Sequence, residues 1–318
     1  MGIGWSIVLL IVGMVLLIKG ADFFVDGASR VARALKIPSL IVGLTLVSIG
    51  TSAPELSVSI QSSIKGLNDM SFGNVIGSNI FNTFVVIGVS ALFTPLVVSK
   101  NMKKYDLPIL MGIYLVLMLF GFVIGPNEVT SIESIIIFAL FFVYNGFLII
   151  RSKNEPQDEE KEEKPRKWYI NLLFIVVGLA GIIFGGDFVV DSASEIALAL
   201  GMSELLVGLT IVAVGTSLPE LVTSIVAAKK GENDIAVGNA IGSCIFNVIL
   251  ILGLAGIISP YAIEWSGLID LFAMLASAVI ILIMSISGEK IGKGKGTILI
   301  IIYAFYLTYI ILRNMGIL

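Results

Sequence analysis

The sequence predicts an all-α membrane protein with ten transmembrane helices in two inverted five-helix repeats. Three observations predict this. First, 57% of the 318 residues are hydrophobic and 14% are charged, which leaves too little polar surface for a soluble chain of this length. Second, ten segments carry the run of about 20 apolar residues that a helix needs to cross a bilayer. Third, the chain repeats itself at a constant offset of 165 residues. Each copy holds five spans, and because five is odd the second copy must enter the membrane facing the opposite way.

In the first repeat (1–150) the spans fall at 3–24, 38–64, 72–94, 105–125 and 130–150; in the second (168–318) they fall at 168–190, 203–228, 237–258, 266–287 and 296–313. The opening apolar segment has no basic region before it and no clear cleavage site, so it is expected as a retained span rather than a signal peptide. Between the repeats, 151–167 holds six basic and six acidic residues and is expected to be a solvated linker. With the N-terminus placed outside, 17 of the 20 lysines and arginines fall in inside loops, Lys19 lies near an inner helix end, and only Lys65 and Arg313 remain outside. The positive-inside rule then puts both termini outside and the linker in the cytoplasm, with the chain multi-pass in the plasma (cytoplasmic) membrane. Trp5, Trp168, Tyr169 and Trp265 are expected as interface anchors.

Composition excludes several function classes. The chain has no histidine, which removes imidazole-ligated zinc, Ser-His triads and histidine proton relays. The single cysteine, Cys244, has no internal disulfide partner. It stands where the first repeat has Asn79, and a small buried residue is the simplest reading of it. No basic stripe with interleaved aromatics points to nucleic acid. No nucleophile, base or metal constellation of a hydrolase is visible outside the repeated motif. A channel would build its pore from subunit symmetry or a selectivity loop, whereas here the symmetry is internal and inverted.

The repeated motif is GTSAPE (Gly50–Glu55) followed by GNVIGSNIFN (Gly73–Asn82), and its copy is GTSLPE (Gly215–Glu220) followed by GNAIGSCIFN (Gly238–Asn247). Each copy puts a carboxylate, Glu55 or Glu220, inside a long apolar run. A charge at membrane depth costs about 3 kcal/mol on insertion scales and is seldom there without a task. Pro54 and Pro219 remove a backbone donor just before each glutamate, and broken helices are tolerated where they line a cavity or ion path. Thr51 and Ser52 share a helix face with Glu55, as Thr216 and Ser217 do with Glu220. Ser78 and Asn82, four apart, add polar groups to the next helix, as do Ser243 and Asn247. Asn74 and Asn239 extend that stripe. For Asn74, Asn239, Ser78 and Ser243, interhelical hydrogen bonding and ion ligation both fit the spacing. Carboxylates, hydroxyls, amides and carbonyls are the donors that calcium takes in groups of six to eight. Sodium takes the same oxygens with less negative charge, so competition for one shared site is a basis for exchange.

Asp22, Asp26, Asp187 and Asp191 repeat at the same offset and are expected near helix ends, as caps or solvated charge rather than an ion vestibule. Asp106 and Asp270 open spans, where a negative charge complements the helix dipole. Gly73-x-x-x-Gly77 and Gly238-x-x-x-Gly242 read as packing contacts. Spans 1 and 6 lack proline and intramembrane ligands and are expected to form a moving gate.

The paired motifs resemble the two alpha repeats of the cation/calcium exchanger superfamily, in its sodium/calcium exchanger branch, and are most similar to short prokaryotic members without a large regulatory loop. The resemblance covers essentially the whole chain. It implies a secondary active antiporter, not an enzyme, that exchanges sodium for calcium by alternating access at a shared midplane site. Ca2+ and Na+ would be the transported ions, the lipid bilayer the surroundings, and no organic cofactor or nucleic acid would be involved. It further implies a calcium site formed by Glu55 and Glu220 with the backbone carbonyls of Thr51 and Thr216. The side chains of Ser52, Ser78, Ser217 and Ser243, and the carbonyls of Ser48 and Ala213, would fall in flanking sodium positions, with Asn82 and Asn247 completing the centre. Some relatives, potassium-dependent exchangers among them, are acidic where this chain has Asn247. Coupling to protons or potassium is the alternative.

Overall fold

The computed structural model describes residues 3–124, 127–153, 166–202, 211, 213–263, 265–288, 290–315 and 317. Among the described residues the fold is helical apart from four two-residue strands. Among the described residues eight helices are long and apolar enough to cross a membrane, and one bent pair makes a ninth if counted as a single span. The expected span 203–228 begins outside the described residues; its described part is the helical turn Ala213–Gly215 and the helix Leu218–Lys229. Thr210 and most of the expected linker also lie outside them.

The first helix, α1 (Ile3–Ala34), has 32 residues, longer than the expected 3–24. The apolar run ends near Asp22, but the helical hydrogen-bond ladder needs no apolar side chains to continue. Its last turns are held instead by ion pairs. Arg30 pairs with Asp26 at 3.0 Å, Arg166 with Asp26 at 2.6 Å, Lys230 with Asp22 at 2.8 Å and Arg33 with Glu232 at 3.1 Å. Asp22 and Asp26 therefore lie inside a helix rather than at its end, which corrects the expectation from hydropathy.

The chain then bends. Helix α2 (Ser39–Thr51) and α3 (Ala53–Ile64) meet at 49°, with Ser52 out of helical geometry between them (φ −81°, ψ 10°). Pro54 sits in the first turn of α3, where its missing N–H costs nothing. Next come α4 (Asn68–Phe93), α5 (Met102–Ile124) and α6 (Ser131–Ser152). Thr130 and Glu133 cap α6 with a reciprocal capping box.

The second half follows the same plan. Helix α7 (Trp168–Ala199) has 32 residues, like α1. After the turn Ala213–Gly215 the chain breaks at Ser217 (φ −91°, ψ 5°) and enters α8 (Leu218–Lys229), with Pro219 in its first turn. It continues as α9 (Asn233–Ile258), α10 (Trp265–Ile286) and α11 (Lys293–Asn314). Asp187 and Asp191 are again inside a helix, and they line a cavity of about 380 Å³ with Pro54, Gly215, Thr216 and Pro219.

α1 and α7 run antiparallel in close contact, with Ser6 donating to Glu195 at one end and Gly27 against Asn171 at the other. The seam is glycine-lined, and a Cβ on Gly20 would fall 2.7 Å from the Ile182 nitrogen while one on Gly178 would fall 2.5 Å from that of Phe24. Any side chain there would push the backbones apart.

α4 and α9 form the centre, each with 78% of its apolar window buried in the protein. Two short antiparallel pairings join the halves: β1 (Leu96–Val97) with β4 (Lys290–Ile291), and β2 (Glu128–Val129) with β3 (Tyr261–Ala262). Each links a first-half strand to a second-half one. Asp106 and Asp270 do not open their helices, because α5 and α10 begin earlier than hydropathy suggests, at Met102 and Trp265, and both carboxylates fall past the first turn. Arg151, at the end of α6, reaches Asp106 at 2.7 Å, and Arg313, at the end of α11, reaches Asp270 at 3.0 Å. Tyr144 and Tyr306 donate to the same two carboxylates.

Candidate functional site

The two helix breaks decide where the glutamates go. Because α3 and α8 restart at the break, Glu55 and Glu220 each fall in the first turn of a helix. There the unsatisfied N–H groups favour a negative charge. Both side chains are fully buried at 0% exposure.

The halves interlock around them. Ser52 of the first repeat donates to Glu220 Oε1 at 2.8 Å, and Ser217 of the second donates to Glu55 Oε1 at 2.9 Å. Each carboxylate is thus held by the serine at the opposite break. Ser78 donates to Glu55 Oε1 and Ser243 to Glu220 Oε1, both at 3.4 Å. The Ser217 and Ser78 hydroxyls lie 3.1 Å apart, side by side on the Glu55 carboxylate. The Ser48 carbonyl lies within reach of two hydroxyl protons, 3.3 Å from Thr51 Oγ1 and 3.5 Å from Ser243 Oγ. Eight of the residues singled out from sequence are therefore joined in one buried hydrogen-bonded cluster: Glu55, Glu220, Ser52, Ser217, Ser78, Ser243, Ser48 and Thr51.

Asn82 and Asn247 sit where α4 and α9 widen into π-type turns, Asn82–Val86 and Asn247–Leu252, a distortion frequent at functional sites. The turn at Asn82 packs against α8, and the turn at Asn247 against α3. The turn that each asparagine opens thereby lies against the glutamate-bearing helix of the other repeat. Thr216 borders the cavity described above. Ala213 opens the turn Ala213–Gly215, which packs against α4 and α7.

Asn74 and Asn239 take the interhelical alternative. Asn74 Nδ2 donates to the Glu55 carbonyl and to Ser59, and Asn239 Nδ2 donates to the Glu220 carbonyl and to Ser224. These four bonds clamp the glutamate-bearing turns to α4 and α9. Ser59 and Ser224 complete the clamp and do not stand out in sequence, because a serine in an apolar helix has no signature of its own.

Among the described residues, four oxygens on the glutamates and central asparagines are buried without a hydrogen-bond partner: Glu55 Oε2, Glu220 Oε2, Asn82 Oδ1 and Asn247 Oδ1. Leaving a buried acceptor unpaired is costly, and for a carboxylate more so. Gathering two carboxylates among such oxygens is sensible if a cation joins them. Among the described residues no three His, Cys, Asp or Glu side chains gather, so the donor set is two carboxylates and neutral oxygens. That set suits hard cations such as calcium or sodium rather than metals that select sulfur or nitrogen.

Residues 5–150 and 170–312 match the family model described as sodium/calcium exchanger protein. The chain is 37% identical over 310 residues to the putative antiporter CaxA of Alkalimonas amylolytica, covering 94% of this chain and 96% of that protein. It is 33% identical over 340 residues to the sodium/calcium exchanger MaX1 of Methanosarcina acetivorans, covering 95% and 97%. Its structure is similar to that of the sodium-calcium exchanger NCX_Mj soaked with zero Na+ and Ca2+, with a TM-score of 0.85 at 28% identity over 97% of this chain and 100% of that one.

Proposed function

Starting from a chain that belongs to the sodium/calcium exchanger family, we propose that it is a secondary antiporter that exchanges sodium for calcium at one buried site between its two halves. The observation that carries this reading is the set of unpartnered buried oxygens on Glu55, Glu220, Asn82 and Asn247. Two carboxylates offset one divalent ion or are shared among monovalent ions. One set of groups thus holds either cargo but not both at full charge, and that mutual exclusion couples the two gradients. Glu55 and Glu220 with the carbonyls of Thr51 and Thr216 take calcium. Ser52, Ser78, Ser217 and Ser243 with the carbonyls of Ser48 and Ala213 serve flanking sodium positions, and Asn82 and Asn247 complete the centre.

The architecture behind it is ten spans in two inverted five-helix repeats, 1–150 and 168–318, with the linker 151–167 between them. The matching lengths of α1 and α7, the paired breaks at Ser52 and Ser217, and the cross-repeat strand pairings support this. The distribution of lysine and arginine supports both termini outside, the linker in the cytoplasm and the plasma membrane as the site of action. The glycine-lined α1–α7 pair is the element that moves against the ion-binding helices.

Calcium flux into proteoliposomes tests the reading. An imposed sodium gradient should drive uptake, and potassium or proton gradients of equal size should not. The centre is neutral at Asn82 and Asn247, so a further monovalent cation would add charge with no carboxylate to offset it. Uptake driven by potassium or protons in the absence of sodium would contradict it.

A further inference from the structure

Among the positions beside the candidate site where the two halves differ, one changes the hydrogen-bonding chemistry of the central helices. Asn79 of the first repeat corresponds to Cys244 of the second at the common offset of 165. Both are fully buried. The Asn79 Nδ2 group donates to the Cys244 carbonyl at 3.0 Å. A carbonyl can only accept, so this bond fixes which way the Asn79 amide faces. Its Oδ1 must then turn to the other side, where Asn247 Nδ2 donates to it at 3.0 Å. With its nitrogen held, the Asn247 amide has its oxygen directed elsewhere, and Asn247 Oδ1 is one of the buried oxygens without a partner. A backbone carbonyl thus orients Asn79, and Asn79 orients Asn247.

The two-fold related relay is missing. The mate of the Asn79–Asn247 bond would join residue 244 to Asn82, but residue 244 is a cysteine, whose thiol is directed to the Asn79 carbonyl at 3.5 Å and to Thr83 at 3.6 Å. A thiol is a poor acceptor for an amide. Neither Asn82 Nδ2 nor Asn82 Oδ1 has a hydrogen-bond partner.

We propose that Asn79 is a positioning residue that presents the Asn247 oxygen to the cation, while Asn82, without such a partner, is left to turn its amide as the cargo requires. The proposal rests on the site reading given above. An amide held with its oxygen inward binds calcium without first reorienting, so the fixed end sets calcium affinity. The rotatable end accommodates the change of cargo. Because the halves are related by a two-fold axis, the relay should work equally well from the other side.

The test is a swap in the full chain, read by equilibrium calcium binding and by sodium-driven flux. Asn79→Cys removes the acceptor for Asn247 and should raise the half-saturating calcium concentration about three- to tenfold, the value of one buried hydrogen bond, with the maximal rate little changed. Adding Cys244→Asn to that variant should return the calcium affinity to within about twofold of the parent, because the second asparagine now orients Asn82. Because Asn79 and Cys244 touch, the swap would also rescue a purely packing role, so Cys244→Asn alone separates the two: a larger side chain that merely overpacks the seam weakens calcium binding, whereas one that orients Asn82 tightens it. Cys244→Asn alone should tighten calcium binding, which keeps the proposal testable if Asn79→Cys does not fold. Unchanged affinity in Asn79→Cys, or a loss that the double substitution deepens, overturns the relay, as does weaker binding in Cys244→Asn. Glu55→Gln is run beside them: if it too leaves calcium binding intact, the site reading itself has failed; if it abolishes binding while the Asn79 variants do nothing, only the relay has failed.

Discussion

The motif at Gly50–Asn82 and its copy at Gly215–Asn247 differ little in sequence, yet the structure uses them unequally. Both break a helix before a proline, bury a glutamate in the next turn and lend a serine to the other half's carboxylate. In the first half Thr51 donates to Asn239 at 2.9 Å, whereas the hydroxyl of Thr216 has no partner and its residue borders a cavity. Asn247 is oriented by Asn79, whereas Asn82 is not oriented by Cys244. At the periphery the Asp106–Arg151 pair is buried, with side chains 0% and 6% exposed, while Asp270 and Arg313 are 14% and 24% exposed. What the halves share is the arrangement of charge at the centre. They share as well the serine bonds and the asparagine clamps around it; what they do not share is the bonding of Thr51 against Thr216 and of Asn247 against Asn82.

The shared part gives the largest expected effect. Glu55→Gln and Glu220→Gln keep the side-chain shape and remove one charge and one bidentate ligand. Each should reduce sodium-driven calcium flux by roughly a hundredfold or more, the scale of breaking a buried charge pair. Near-parental flux in either variant would separate the halves at the point where they should be equal.

The peripheral ion pairs should respond unequally. Asp106→Asn removes the charge from a buried ion pair and should cost about 3–5 kcal/mol of stability. Asp270→Asn acts on a partly solvated pair and should cost on the order of 1 kcal/mol. Thermal unfolding in detergent compares them, and equal losses would mean that the difference in burial carries no weight.

The threonines sharpen the comparison further. Thr51→Val leaves Asn239 Oδ1 buried without its donor and should destabilise the fold by about 1–3 kcal/mol. Thr216→Val removes a hydroxyl with no partner and should leave both stability and flux close to the parent. If Thr216→Val instead lowers calcium flux strongly, its hydroxyl rather than its carbonyl serves the cation.

Much of the site was legible because it is written twice. A glutamate in an apolar run is conspicuous, and the recurrence of Thr, Ser, Pro and Glu at one offset of 165 marks the same turn in both halves. The broken helices followed from Pro54 and Pro219. The lengths of α1 and α7 did not follow, because hydropathy ends at Asp22 and Asp187 while the backbone ladder continues past them. The partners of Asp106 and Asp270 also lay hidden, since Arg151 and Arg313 stand more than 40 residues away in the chain. Hydrogen bonds that cross from one repeat to the other leave the least trace. Cys244 opposite Asn79 is one mismatch among several between the halves, and its consequence for Asn247 and Asn82 appears only when helices α4 and α9 are packed together.

The central claim is that one pair of carboxylates serves both ions. Equilibrium calcium binding to the purified protein across a sodium titration tests it most directly. With a shared site the apparent calcium affinity falls steadily as sodium rises, with the number of calcium sites unchanged. Calcium affinity that stays constant to saturating sodium would contradict it.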